Sequence, residues 1–141
     1  MVHEAGYDED VVAAALLQAV VLRDLAELAE VEAICGHEVG DLVAILVDDR
    51  RSGSYERRMA EQRDRIAKSD RVAAAIYAAD QLARVRAFAA AGRLPPRAEF
   101  RHYQRTARTL GAAFPRLPFL SEMRFELGGL TGVGSKAERD R

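Results

Sequence analysis

An apolar run near the start of the chain constrains the fold more than any other feature. From Val11 to Leu22, every residue except Gln18 is apolar, and three acids come just before the run (Asp8, Glu9 and Asp10). Acids in that place favour the positive end of a helix dipole. A strand of a parallel sheet is the alternative, but the run is too long for a strand and contains no glycine or proline. The sequence therefore predicts a central helix over about residues 8–23, buried on nearly all sides.

Helical periodicity continues through most of the remaining chain. Further helices are predicted at 27–35, 37–49, 55–68, 70–91, 97–114 and 120–130. Ser54 and Asp70 are suited to cap the helices that follow them, and Gly36 and Gly92 are suited to end the helices before them. We therefore expect an all-α protein with one helical domain of about seven helices over residues 1–130. The polar, glycine-containing residues 131–141 are expected to form a flexible tail.

The segment 97–114 has the clearest two-sided pattern. Its core side is predicted to hold Phe100, Tyr103, Ala107, Leu110 and Phe114, and its other side to hold Arg97, Arg101, Arg105 and Arg108. The arginines could bind phosphates or an acidic partner. No exposed aromatic residues accompany them for base stacking, which argues against nucleic acid as the partner. His102, next to the arginines, is predicted to be a surface residue rather than a catalytic base.

Composition supports a single core without covalent cross-links. The chain has 141 residues, of which 49% are hydrophobic, and this is enough apolar material for one core. The one cysteine, Cys35, allows no internal disulfide and is predicted to be a small buried hydrophobic residue. No signal peptide and no apolar span of about eighteen residues is recognisable. We therefore expect a soluble, cytoplasmic protein that does not enter a membrane.

Charge is unevenly distributed along the chain. Residues 1–49 contain twelve acids and one base, Arg23, so the remainder contains twenty bases and ten acids. The simplest interpretation is that acidic and basic helices face each other in the fold or are solvated. The alternative is a basic surface that takes phosphate, an acidic partner or a second copy of the chain.

Three segments carry a resemblance to a known family. The sequence GYDEDVVAAALLQAVV (6–21) resembles the metal-binding helix of the HD-domain phosphohydrolases, most closely the branch that hydrolyses guanosine tetraphosphate. DRVAAAIYAADQLARVRAF (70–88) is similar to the helix that carries the last metal ligand of that family, an aspartate, which falls on Asp80. RHYQRTARTLGAAFPRLPFLSEMRFEL (101–127) is similar to the segment that closes the domain. The resemblance implies an all-helical HD-like domain.

The same resemblance implies that most of the metal ligands are absent. The His-Asp pair of the family falls on Gln18 and Ala19, and the acidic pair that follows falls on Leu22 and Arg23. An amide oxygen is a poor substitute for an imidazole, a methyl group offers no donor, and an arginine repels a cation. The first histidine of the family lies on a helix upstream of residue 6, and His3 is too close to that point to replace it.

The surroundings of Asp80 also depart from the family pattern. Tyr77 occupies the place of a lysine three residues earlier, and Arg84 occupies the place of an asparagine four residues later. Arg84 lies one helical turn from Asp80, so the two side chains are expected to form an ion pair without a metal. Asp80 is therefore predicted to be a structural residue.

The resemblance implies a protein that has lost catalysis. We expect no catalytic residue, no bound metal and no cofactor, with Gln18, Ala19 and Asp80 as vestigial metal positions. Without the upstream helix, an apolar face would be left uncovered, and a homodimer through that face is expected. Two alternatives remain open: a nucleotide or phosphate sensor that uses arginines such as Arg23 and Arg84, and a residual metal-dependent phosphohydrolase.

Overall fold

The computed structural model describes residues 28–47 and 53–139, and this part of the chain folds into helices without a β-strand. The helices are α1 (Leu28–Cys35), α2 (His37–Leu46), α3 (Tyr55–Ala67), α4 (Arg71–Ala90), α5 (Arg97–Ala113) and α6 (Leu120–Arg139). The all-α prediction is therefore confirmed for the described residues. The predicted central helix, 8–23, lies outside them.

Helix α4 is the most enclosed element of the described part. It contacts α2, α3, α5 and α6. Every residue from Ala73 to Ala79 is buried, although a helix with one core-facing stripe would expose part of such a run. Five of those seven residues are alanines, whose small side chains allow neighbouring helices to approach closely on several sides.

The core forms two apolar clusters along α4. The first joins the start of α4 to α2 and the end of α3, and it contains Val43, Leu46, Ile66 and Ile76. The second joins the later turns of α4 to α5 and α6, and it contains Leu82, Tyr103, Met123 and Leu127. The core residues predicted for α5 are therefore buried or partly buried as expected.

Several helix ends form as the sequence predicts. The Ser54 side chain accepts a hydrogen bond from the Arg57 amide at 3.3 Å, and the Asp70 carboxylate accepts one from the Ala73 amide at 2.8 Å. Gly92 follows α4 with a φ of 63°, a left-handed conformation that costs glycine little.

The link between α5 and α6 is held by an arginine from α4. Arg116 and Phe119 in this link adopt positive φ angles of 65° and 76°. The Arg71 guanidinium donates hydrogen bonds to the carbonyl oxygens of Pro115, at 3.3 Å, and Arg116, at 2.9 Å. These bonds fix the start of α4 against the turn that leads into α6.

Two predicted features differ from the structure. Helix α6 continues to Arg139, so residues 131–139, predicted as part of a tail, are helical. That stretch is polar and contains glycine, which is why the sequence suggested an end near residue 130. Cys35 is only partly buried, and it packs against the first apolar cluster.

Candidate functional site

The Asp80 carboxylate is held by two neighbours on its own helix. Its Oδ2 atom accepts a hydrogen bond from Arg84 Nε at 3.1 Å and another from Gln81 Nε2 at 3.1 Å. Burial acts to lower the pKa of Arg84, but the Asp80 charge and hydrogen bond outweigh it and leave that pKa raised. The ion pair predicted from the spacing of Asp80 and Arg84 is therefore confirmed.

A buried histidine lies at the centre of a hydrogen-bond network between α3, α4 and α5. His102, on α5, is only 3% exposed, so the prediction of a surface residue was wrong. Its Nδ1 atom lies 2.7 Å from an Arg63 nitrogen on α3. Its Nε2 atom lies 3.0 Å from Gln81 Oε1 and 3.2 Å from the Tyr77 hydroxyl, both on α4.

The partners of His102 fix its tautomer. An arginine donates but does not accept, so His102 Nδ1 must be the acceptor in its bond with Arg63. The proton therefore lies on Nε2, which donates to Gln81 Oε1. Burial, followed by the charges of Arg63 and Arg84, lowers the pKa of His102 to about 3. The imidazole is neutral near pH 7 and is a poor general base.

The network continues from Tyr77 into the main chain of α2. The Tyr77 hydroxyl donates to Gln62 Oε1 at 2.8 Å, and Gln62 Nε2 donates to the Leu46 carbonyl oxygen at 2.8 Å. Each of these polar groups is buried and has a partner, as an interior requires. The network therefore joins four helices through groups that satisfy each other.

The arginines of α5 are exposed, as predicted, and two of them border a groove. Arg97, Arg101, Arg105 and Arg108 all face solvent. A groove of about 420 Å³ lies between α3 and α5, and Arg63, Arg105 and Arg108 line it. A smaller cleft of about 40 Å³, lined in part by Arg63, Arg101 and His102, lies beside it. The cationic groove therefore lies against the buried network.

The described residues form no cluster of candidate metal ligands. No group of three or more histidine, cysteine, aspartate or glutamate side chains comes together within 28–47 and 53–139 in a way that could hold an ion. The Asp80 carboxylate accepts hydrogen bonds from Arg84 and Gln81. Of the residues singled out from the sequence, Gln18, Ala19 and Arg23 lie outside the described part.

Comparison with known proteins shows a shared fold and gives no information on activity. No family model matches the chain, and no curated protein matches it. Among solved structures, the fold is similar to that of lmo0812 from Listeria monocytogenes EGD-e, with a TM-score of 0.77 and 24% sequence identity. The match covers 89% of this chain and 85% of that one. The chain therefore shares an overall fold with a bacterial protein.

Within residues 28–47 and 53–139, no helix is both long and apolar enough to span a membrane.

The buried network was not predicted from the sequence. Its members are polar residues on helix faces that otherwise carry apolar side chains. The relevant signal was spacing: His102 precedes Thr106 and Leu110 at intervals of four, and Tyr77 precedes Gln81 at the same interval. These intervals place the polar residues on buried faces. Which helix faces meet depends on tertiary packing, so the partners themselves could not be deduced.

Proposed function

We propose that this chain is an HD-like helical domain that acts as a non-catalytic interaction module. The supporting observation is the position of Asp80. The resemblance assigns a metal-ligand role to this residue, but its carboxylate oxygen accepts hydrogen bonds from Arg84 and Gln81. A cation would have to displace the Arg84 charge before it could bind there.

The state of His102 supports the same proposal. A histidine that ligates a metal or transfers protons needs a ring nitrogen that is free for that purpose. Both nitrogens of His102 have protein partners, and the lowered pKa opposes protonation. Asp80 and His102 are therefore both held in structural interactions.

Hydrolysis can be tested directly with the substrate class that the resemblance implies. We expect no release of pyrophosphate from guanosine tetraphosphate in the presence of Mn²⁺, either by the native protein or by Asp80→Ala. Glu122→Ala is a matched control, since Glu122 is an exposed acid on α6. Mn²⁺-dependent release by the native protein and by Glu122→Ala, but not by Asp80→Ala, would show a residual phosphohydrolase and contradict the proposal.

The proposal includes association between copies of the chain. Opposite charges occur at separate places on the described surface: Glu38 and Asp41 are exposed on α2, and the arginines Arg97 and Arg101 are exposed on α5. Phe125, on α6, is 81% exposed. Complementary charge at two places on one chain favours head-to-tail contact between copies, and an exposed aromatic side chain adds apolar area to such a contact.

Self-association can be measured by sedimentation velocity at micromolar concentration and low salt. We expect a dimer whose population falls as the salt concentration rises, because charge pairs at a contact are screened. The combination Glu38→Gln with Asp41→Asn should weaken the dimer. A monomer under all these conditions would remove self-association from the proposal while leaving the absence of hydrolysis in place.

A further inference from the structure

The groove between α3 and α5 has an excess of cationic side chains. Arg63 contributes from α3, and Arg105 and Arg108 contribute from α5 at an interval of three residues. Thr109 adds a hydroxyl group to the same lining. At about 420 Å³, the groove lies within the usual size range of small-molecule sites.

Arg63 carries a buried charge without an ion-pair partner among the described residues. It is only 8% exposed, and its hydrogen bond goes to the neutral imidazole of His102. Burial lowers the pKa of Arg63, and the nearby positive charge of Arg105 acts in the same direction, while Tyr77 and Asp64 act to raise that pKa but do not outweigh burial. A buried cation without a carboxylate at close range is costly, and a second cation beside it adds to that cost. An anion in the groove would relieve both effects.

The acids of the groove offset this charge only in part. Glu61 lines the groove and forms an ion pair at 3.1 Å with Arg57, which lies outside the lining. Asp64 also lines the groove; its side chain is exposed, and its charge acts to raise the pKa of Arg63. Its charge nevertheless opposes an incoming anion, so Asp64 should limit the affinity of the site.

We propose that this groove binds a phosphate group through Arg63, Arg105 and Arg108. Guanidinium groups match the geometry of phosphate oxygens and keep their charge at neutral pH. The hydrogen bond from Arg63 to His102 fixes one edge of that guanidinium, so the remaining donors are held in place before the ligand arrives. The site is separate from Asp80, and the inference does not depend on whether the protein hydrolyses a nucleotide.

Calorimetric titration with inorganic phosphate tests the site, at constant ionic strength and with EDTA present. We expect saturable binding that Arg105→Ala and Arg108→Ala each weaken about tenfold, since each removes a charged hydrogen-bond donor. Both residues are exposed, so the fold should survive the substitutions. Arg93→Ala is the matched control, because Arg93 is exposed, follows α4 and lines neither the groove nor the smaller cleft.

A second variant is expected to tighten phosphate binding rather than weaken it. Asp64→Asn removes the opposing charge while keeping the size of the side chain, and it should tighten phosphate binding about threefold. Amide chemical shifts recorded during the titration should change along α3 and α5. The titration extends to about 20 mM phosphate, well above the dissociation constant of a useful specific site. The absence of saturable binding up to that concentration would overturn the proposal. Equal affinities for the native protein, Arg105→Ala and Arg108→Ala would also overturn it.

Two further titrations, one with guanosine diphosphate and one with Mn²⁺ present, identify the source of the phosphate and distinguish this site from the HD-like centre. Tighter binding of guanosine diphosphate than of inorganic phosphate, with the same sensitivity to Arg105→Ala, would support a nucleotide as the ligand. Equal binding would support a free phosphate group. Phosphate binding that requires Mn²⁺ and disappears in Asp80→Ala would instead place the ligand at a metal centre, which would contradict both this inference and the proposed lack of catalysis.

Discussion

His102 shows how a residue type associated with catalysis can have a structural role. Its imidazole accepts from Arg63 and donates to Gln81, so it acts as a connector between α3 and α4. Protonation of Nδ1 would place two donors opposite each other and add a positive charge beside Arg63. The same contacts that order the histidine therefore keep it neutral.

The lowered pKa of His102 predicts a pH-dependent stability. The pKa is about 3 in the folded protein and about 6.5 in an unfolded chain, so the unfolded state binds more protons between these values. The contribution of His102 to stability is complete above pH 6.5 and is lost as the pH falls. Between pH 6.5 and 5, the free energy of unfolding should fall by about 1 to 2 kcal/mol because of this residue.

Urea unfolding at several pH values measures this effect. His102→Gln should flatten the dependence between pH 6.5 and 5, since glutamine does not titrate. His37→Gln is the matched control, because the His37 side chain is 84% exposed. An unchanged slope in His102→Gln would show that the folded protein does not hold His102 in its neutral form.

Tyr77 provides a second test of the network. Tyr77→Phe leaves Gln62 Oε1 buried without its donor, so the free energy of unfolding should fall by about 1 to 3 kcal/mol. Tyr55→Phe, at a half-buried position on α3, is the control and should have a smaller effect. Chemical denaturation of the two variants provides the comparison. A similar loss in both variants would mean that the Tyr77 hydroxyl contributes no more to the free energy of unfolding than the Tyr55 hydroxyl does.

At the scale of helices, the sequence predicted the elements better than their contacts. Capping by Ser54 and Asp70 depends on local chemistry, and both caps form. The burial of residues 73–79 and the network around His102 depend on which helices surround α4. Such contacts join residues far apart in the chain, for example Arg63 and His102, and local periodicity carries no information about them.

The cap at Asp70 predicts the stability of α4. Asp70→Ala removes the acceptor of the Ala73 amide and should reduce the free energy of unfolding by about 1 kcal/mol. Asp70→Asn keeps a good capping group and should remain close to the native protein. Thermal unfolding of the two variants tests this ranking. Equal losses in both would indicate that the charge of Asp70, rather than its capping oxygen, stabilises the helix.

At the scale of the whole molecule, the described helices form a bundle around α4, with polar contacts at its centre. The all-α class was predictable, because the apolar spacing of nearly every segment follows a helical period. The candidate site was only partly predictable. The Asp80–Arg84 pair is local to one helix, so its spacing was sufficient, whereas the groove with Arg63, Arg105 and Arg108 arises only when α3 packs on α5.

Metal binding tests the central proposal most directly. The protein is equilibrated with excess Mn²⁺, passed through a desalting column and analysed for metal per chain, together with Asp80→Ala. Because Arg84 and Gln81 hold the Asp80 carboxylate, we predict that both proteins retain the same negligible amount of Mn²⁺. One tightly held ion per native chain that is lost in Asp80→Ala would contradict the account.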